Sequence, residues 1–178
     1  GNFKGQADRD LYDQTRVILG LQDELFSYRL APGEELWAPE VILSYSGEGL
    51  ARLSQNFHKI IRHNLCRGRF KNSYRPILVN NWEATYMDFD GEKICEIARQ
   101  AADLGIEMLV LDDGWFGKRN SDTCSLGDWW VNEEKLGGTL AELVNRINGM
   151  GLKFGLWVVP EMISEDSELY RLYPGRAF

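Results

Sequence analysis

From Arg75 onward the chain repeats one rhythm: a short apolar run, an amphipathic stretch at helical spacing, then another apolar run. The apolar runs are Ile77-Leu78-Val79, Ile106 to Leu111 and Phe154 to Val159. Such runs, without polar alternation, suit strands covered on both faces of a parallel sheet. Between the first two, Ile94, Ile97, Ala98, Ala101 and Leu104 mark a helix, with Asp90 placed to cap its start and Gly105 to close it. Leu140, Leu143, Val144 and Ile147 mark a second helix, ended near Gly149 and Gly151. The polar connection before it runs to about two dozen residues, long for such a unit. A last helix is expected between Ser164 and Tyr173, ahead of Pro174.

Strands alternating with helices give a parallel sheet covered by helices, either doubly wound or closed into a barrel. Each apolar run ends in polar or aromatic groups: Asn80-Asn81-Trp82-Glu83, Asp112-Asp113-Gly114-Trp115 and Pro160-Glu161. Barrel sites lie at those C-terminal strand ends. The Gly-rich phosphate loop of a nucleotide fold does not follow the first strand. The expected fold is therefore α/β, with residues 75–178 as the first three βα units of a (β/α)8 barrel. Three such strands cannot close a barrel, so further strands are expected outside this sequence.

Residues 1–46 read as the last strands of an antiparallel β-sandwich. Val17 to Leu21 is apolar, Phe26, Tyr28 and Leu30 alternate with polar neighbours, Ala31-Pro32-Gly33-Glu34 is a turn, and Pro39 to Tyr45 is a further run. Residues 47–74 read as a linker helix, with Leu50, Leu53, Phe57, Ile60, Ile61 and Leu65 on one stripe. His58 and His63 fall off that stripe and read as solvated helix residues.

A formal net charge of −7 argues against a nucleic-acid partner, and no apolar stretch is long enough to span a bilayer. The basic clusters Arg67 to Lys71 and Lys118-Arg119 are too short to change that reading. Cys66, Cys95 and Cys124 lack pairing or metal spacing and read as reduced thiols of a cytoplasmic protein.

Chemistry concentrates at the end of the second apolar run. Asp112 and Asp113 arrive at the sheet rim together, and because strand side chains alternate, the two point apart. Carboxylates accept strongly from paired sugar hydroxyls, and a neighbouring indole such as Trp82 covers the apolar face of a pyranose. Trp115 and Trp129 could line the same pocket from the following loop. Other readings stay open on the residues alone: the acids as turn caps, Trp82 as a plug at the rim, or a magnesium site recruiting Asp122 or Asp128 in a phosphotransferase.

Four stretches in order narrow this. Asn80-Asn81-Trp82-Glu83-Ala84-Thr85-Tyr86, Leu111-Asp112-Asp113-Gly114-Trp115-Phe116-Gly117, Ser125-Leu126-Gly127-Asp128-Trp129 and Gly155 through Met162 resemble glycoside hydrolase family 36, the bacterial-type α-galactosidases or melibiases. The resemblance is dense over 75–178 and looser around Leu30 to Glu34 and Phe57-His58. It implies a retaining hydrolase that removes terminal α-linked galactose from melibiose, raffinose and related oligosaccharides, without cofactor or metal, working as a homo-oligomer, commonly a tetramer. It implies that Asp112 and Asp113 hold galactose hydroxyls and that Trp82 lines the subsite. The family nucleophile lies in a Lys-x-Asp motif, which this sequence lacks, and its acid/base lies further on. The catalytic pair is thus expected outside these residues, and a non-catalytic sugar-binding or structural module is the rival reading.

Overall fold

The strand rhythm is realised in the computed structural model, which describes residues 3–177. The chain divides into two units, one ending at Ser73 and the other beginning at Tyr74.

In the first unit, β1 (Phe3–Arg9) and β2 (Thr15–Leu21) pair antiparallel, in register from Phe3 opposite Leu21 to Arg9 opposite Thr15. Asp10 turns the chain between them, its carboxylate accepting from the Tyr12 and Gln14 amides at 2.8 and 2.9 Å. An Asp side chain that satisfies nearby amides in this way stabilises a tight reversal. The expected strands around Phe26–Leu30 and Pro39–Tyr45 are not laddered to any partner among the described residues. Alternation marks a segment that can be pleated, but a strand also needs a neighbour to exchange hydrogen bonds with. β1, with the polar sequence FKGQADR, carries no such alternation and was not expected. The linker helix forms as α1 (Gly49–Ile60), continued by a π-helical turn over Ile61–Leu65.

In the second unit three strands lie parallel in the order β3 (Leu78–Asn80), β4 (Met108–Leu111), β5 (Lys153–Leu156). Residues pair in rows, such as Leu109 with Val79 and Phe154, and Val110 with Asn80 and Gly155. Alternation along β4 divides its side chains between two faces. Leu109 and Leu111 are fully buried against Ile94, Cys95 and Ala98 of α3 (Gly91–Asp103) and Leu143 and Ile147 of α5 (Leu140–Gly149). Burying each of these large side chains contributes about 1.5–3 kcal/mol. Met108 and Val110 occupy the opposite, half-open face, where a β-carbon on Gly155 would come within 2.5 Å of Met108 and 3.0 Å of Val110.

α3 starts at the cap expected for it, Asp90. The Asp90 carboxylate accepts from the Lys93 amide at 2.8 Å. Thr139 and Glu142 cap α5 reciprocally, Thr139 Oγ1 accepting from the Glu142 amide and the Glu142 carboxylate from the Thr139 amide. Two short turns sit where a loop or strand end was expected: α2 (Trp82–Thr85) and α4 (Glu133–Leu136), the latter capped by Asn132. The last helix is confined to α6 (Glu168–Leu172), since Ser167, not Ser164, is its cap.

Candidate functional site

The rim of the sheet is built outward from the ends of β3 and β4. β3 stops at Asn80 because its side chain turns on its own backbone: Asn80 Oδ1 accepts from the Trp82 amide at 2.7 Å. That turn places Trp82 at the start of α2 instead of at a strand end, half-buried, with its ring edge-on to Tyr86 at 5.2 Å. The other end of the Asn80 amide donates to Asp112 Oδ2 at 2.5 Å. The buried Asn81 accepts from the Asp112 amide at 2.8 Å. Two adjacent asparagines thus fix one acid, one through its carboxylate and one through its backbone, and Asn80 joins that acid to Trp82. Asp112 is half-buried and continues the open face of Met108 and Val110.

Asp113 goes the other way. It is 5% exposed, and its carboxylate forms a two-pronged ion pair with Arg119, Nε at 3.0 and 3.2 Å and Nη2 at 2.8 Å. Gly114 follows at φ 95°, the left-handed region, and lets the chain turn away into the loop. Burial disfavours the Arg119 charge, but Asp113 more than offsets it and holds the guanidinium above its ordinary pKa. Lys135 stands nearby over the Phe89 ring at 4.3 Å. Burial holds its ammonium below the ordinary value, against the pull of Asp113, Asp88 and Cys124. Burial raises the Cys124 thiol, yet the Ser121 hydroxyl, backbone contacts and Arg119 bring it below its usual range.

The loop tryptophans assemble into an aromatic cluster. Trp115 is buried, its indole N–H donating to the Trp157 carbonyl at 2.9 Å, and it packs on Phe116 and Trp129. Trp129 in turn meets Trp157 and lines a cleft of about 370 Å³ with Glu161, Met162, Leu169 and Tyr173. The structure therefore joins Asp112 to Asn80 and Asn80 to the Trp82 backbone, and groups Asp113 with Arg119 and Trp115 with Trp129. Asp128 is buried and accepts from the Glu168 and Leu169 amides at 3.2 Å each. Among the described residues no group of three or more His, Cys, Asp or Glu side chains could hold a metal ion. No helix of the described residues is long and apolar enough to cross a membrane. Sequence reasoning passed over Arg119 as part of a short basic cluster. Its position six residues after Asp113, in a loop otherwise rich in Asp and Ser, was the available signal.

A family model described as melibiase matches residues 36–177. The bifunctional alpha-galactosidase/sucrose kinase AgaSK of Mediterraneibacter gnavus is 59% identical over 174 residues, 98% of this chain and 19% of that protein. The solved galactosidase domain of AgaSK superposes with a TM-score of 0.90 over 98% of this chain and 24% of its own. The crystal structure of alpha-galactosidase AgaA from Geobacillus stearothermophilus, 52% identical, gives a TM-score of 0.90 over 97% of this chain and 24% of that one. Variants of AgaA solved with stachyose and with raffinose match equally, at 0.89 and 0.90. The chain spans about a quarter or less of the length of these relatives. It belongs to the melibiase family, the α-galactosidases of glycoside hydrolase family 36, and corresponds to one segment of such an enzyme.

Proposed function

We propose that this segment supplies the galactose-gripping rim of a retaining α-galactosidase that cleaves terminal α-linked galactose from melibiose- and raffinose-type oligosaccharides. The observation that carries the reading is the Asn80–Asp112 pair. It presents a half-buried carboxylate, held by a 2.5 Å hydrogen bond, on the open face at the C-terminal strand end. There Asp112 accepts sugar hydroxyls as charge-assisted hydrogen bonds, and the adjoining Trp82 indole covers C–H edges of the ring. Asp113 contributes from the next position, oriented by Arg119. The sugar complexes of AgaA support the same substrate class for this chain.

Retention requires a nucleophile and an acid/base about 5–5.5 Å apart on either side of the scissile bond. Asp112 and Asp113 do not serve those roles, since they diverge and Asp113 is committed to Arg119. The catalytic carboxylates then come from elsewhere in the complete enzyme, and 1–46, 47–74 and 75–178 act as sandwich end, linker and barrel start. The family habit of assembly and the unpaired thiols extend the reading to a cytoplasmic homo-oligomer.

The test is Asp112→Asn in the full-length protein. Weakening a charged acceptor to a sugar hydroxyl lowers kcat/KM on a nitrophenyl α-galactoside by about 1.5–3 kcal/mol, about 10- to 150-fold. Unchanged kinetics in both Asp112→Asn and Asp113→Asn would remove the site.

A further inference from the structure

We infer that Arg119 is the positioning residue of the Asp113 carboxylate, and that through it the 117–124 loop governs which sugar hydroxyls the site accepts. The inference rests on the galactoside reading above and concerns a residue that need not touch sugar itself. Arg119 is as closely enclosed as Asp113, each 5% exposed, so it acts through the hydrogen bonds it makes. All three of its guanidinium nitrogens are engaged. Nε and Nη2 dock on Asp113, while Nη1 donates to the carbonyls of Asp122 at 2.8 Å and Cys124 at 2.9 Å.

A guanidinium is a rigid planar fork, so docking it on a carboxylate fixes the plane of that carboxylate as well as its charge. The oxygen lone pairs that Arg119 does not use are left pointing in set directions, and these are what a hydroxyl would meet. Gly114 beside Asp113 is in the left-handed region, so the chain leaves the strand direction immediately after Asp113 and the carboxylate sits at the turn.

The fork is itself held. Gly117 donates to the Trp130 carbonyl at 2.8 Å, and Ser125 to the Asp166 carbonyl at 2.7 Å. Ser164 donates to Leu126 at 2.9 Å, and Asp128 receives the first amides of α6. The loop after β4 is thus stitched to the loop after β5, and Arg119 transmits that fixed frame to one acid at the rim.

The full-length protein carrying Arg119→Lys, which keeps the charge and loses the fork, or Arg119→Gln, which loses both, separates positioning from plain support. kcat and KM are measured on a nitrophenyl α-galactoside and on analogues each lacking one sugar hydroxyl, with melting temperatures alongside. Both variants raise KM and lower kcat/KM on the complete galactoside by about ten- to a hundredfold. On one deoxy analogue the loss disappears, because the hydroxyl that Asp113 receives is gone, and Asp113→Asn shows the same analogue dependence. A loss spread evenly over all analogues, or failure of both variants to yield folded protein, makes Arg119 a structural clamp and overturns the inference. If Asp113→Asn is impaired while both Arg119 variants match the parent, positioning alone fails. If Asp113→Asn is itself unimpaired, the galactoside reading of Asp113 fails first.

Discussion

Asn80 touches both halves of the candidate site, donating its amide hydrogen to Asp112 and accepting with its Oδ1 from the Trp82 N–H, so its replacement tests the arrangement sharply. Asn80→Ala removes a hydrogen bond to a carboxylate, worth about 1.5–3 kcal/mol. Because Asn80 is exposed and Asp112 only half-buried, water replaces part of it and the lower end applies, about 1.5 kcal/mol or roughly tenfold in kcat/KM. Asn80→Asp keeps the shape and the acceptor for the Trp82 amide but sets a second negative charge against Asp112. At about 4 Å the repulsion is about 1 kcal/mol in water and about 4 kcal/mol at an effective dielectric of 20, so a half-exposed pair lies near 2 kcal/mol. The near-isosteric change should therefore be the worse one, with about 3.5 kcal/mol lost in all, a few hundredfold. The assay is steady-state hydrolysis of a nitrophenyl α-galactoside by the full-length enzyme at neutral pH, with melting temperatures to confirm folding. Asn80→Asp retaining as much kcat/KM as Asn80→Ala would refute the argument that Asp112 is a charged acceptor held by this amide.

Gly91→Ala should lower the melting temperature strongly. The added β-carbon would sit 2.1 Å from the Leu136 carbonyl oxygen, a backbone atom that cannot swing aside, and overpacking of this kind costs about 1–3 kcal/mol or more. Thr139→Ala removes the cap of α5 and should cost about 1 kcal/mol in denaturant unfolding, with the galactoside KM unchanged. The Glu142 carboxyl is held below its ordinary value by the Thr139 amide and hydroxyl. A depressed carboxyl contributes stability above its unfolded pKa and loses it as pH falls through the folded one. The stability gap between the parent and Glu142→Gln should therefore be present at neutral pH and close as the solution becomes acidic, read from melting curves across pH.

The second unit was largely legible because its signals are local. Apolar runs and helical stripes place β3, β4, β5, α3 and α5, while Asp90 announces a helix start through a side chain that reaches only three residues ahead; the Thr139–Glu142 cap of α5 is equally local but was not picked out. The divergence of Asp112 and Asp113 was also legible, since adjacent strand residues face opposite ways. What escaped depends on partners. Trp82 left its expected strand end because Asn80 folds back on its amide, and a strand ending in Asn does not announce which hydrogen bond that Asn will choose. The stretches around Phe26 and Val41 carry a strand-like pattern without a ladder, because pairing is a property of two segments and alternation belongs to one. The N–H of Trp115 bonds to the Trp157 carbonyl inside an aromatic cluster, a partner 42 residues on that local pattern does not reveal.

Why one acid of the pair has a guanidinium and the other only neutral amide donors, from Asn80 and the Asp113 backbone, follows from where the strand sends each. Alternation drives Asp113 into the body of the unit, where an unpaired carboxylate would be costly enough that a buried cation must accompany it. The same alternation leaves Asp112 at a half-open rim, where water still solvates it and a neutral amide suffices. Amide donors, Asn80 on Oδ2 and the Asp113 backbone on Oδ1, take up lone pairs without neutralising the charge, so on the proposed reading Asp112 keeps a full negative charge to attract incoming hydroxyls. A guanidinium at the same place would compete with a sugar bound there. The two acids are therefore not interchangeable. Exchanging their surroundings by giving Asp112 a cationic neighbour, as in Asn80→Arg, should weaken galactoside binding even though it strengthens the local ion pairing.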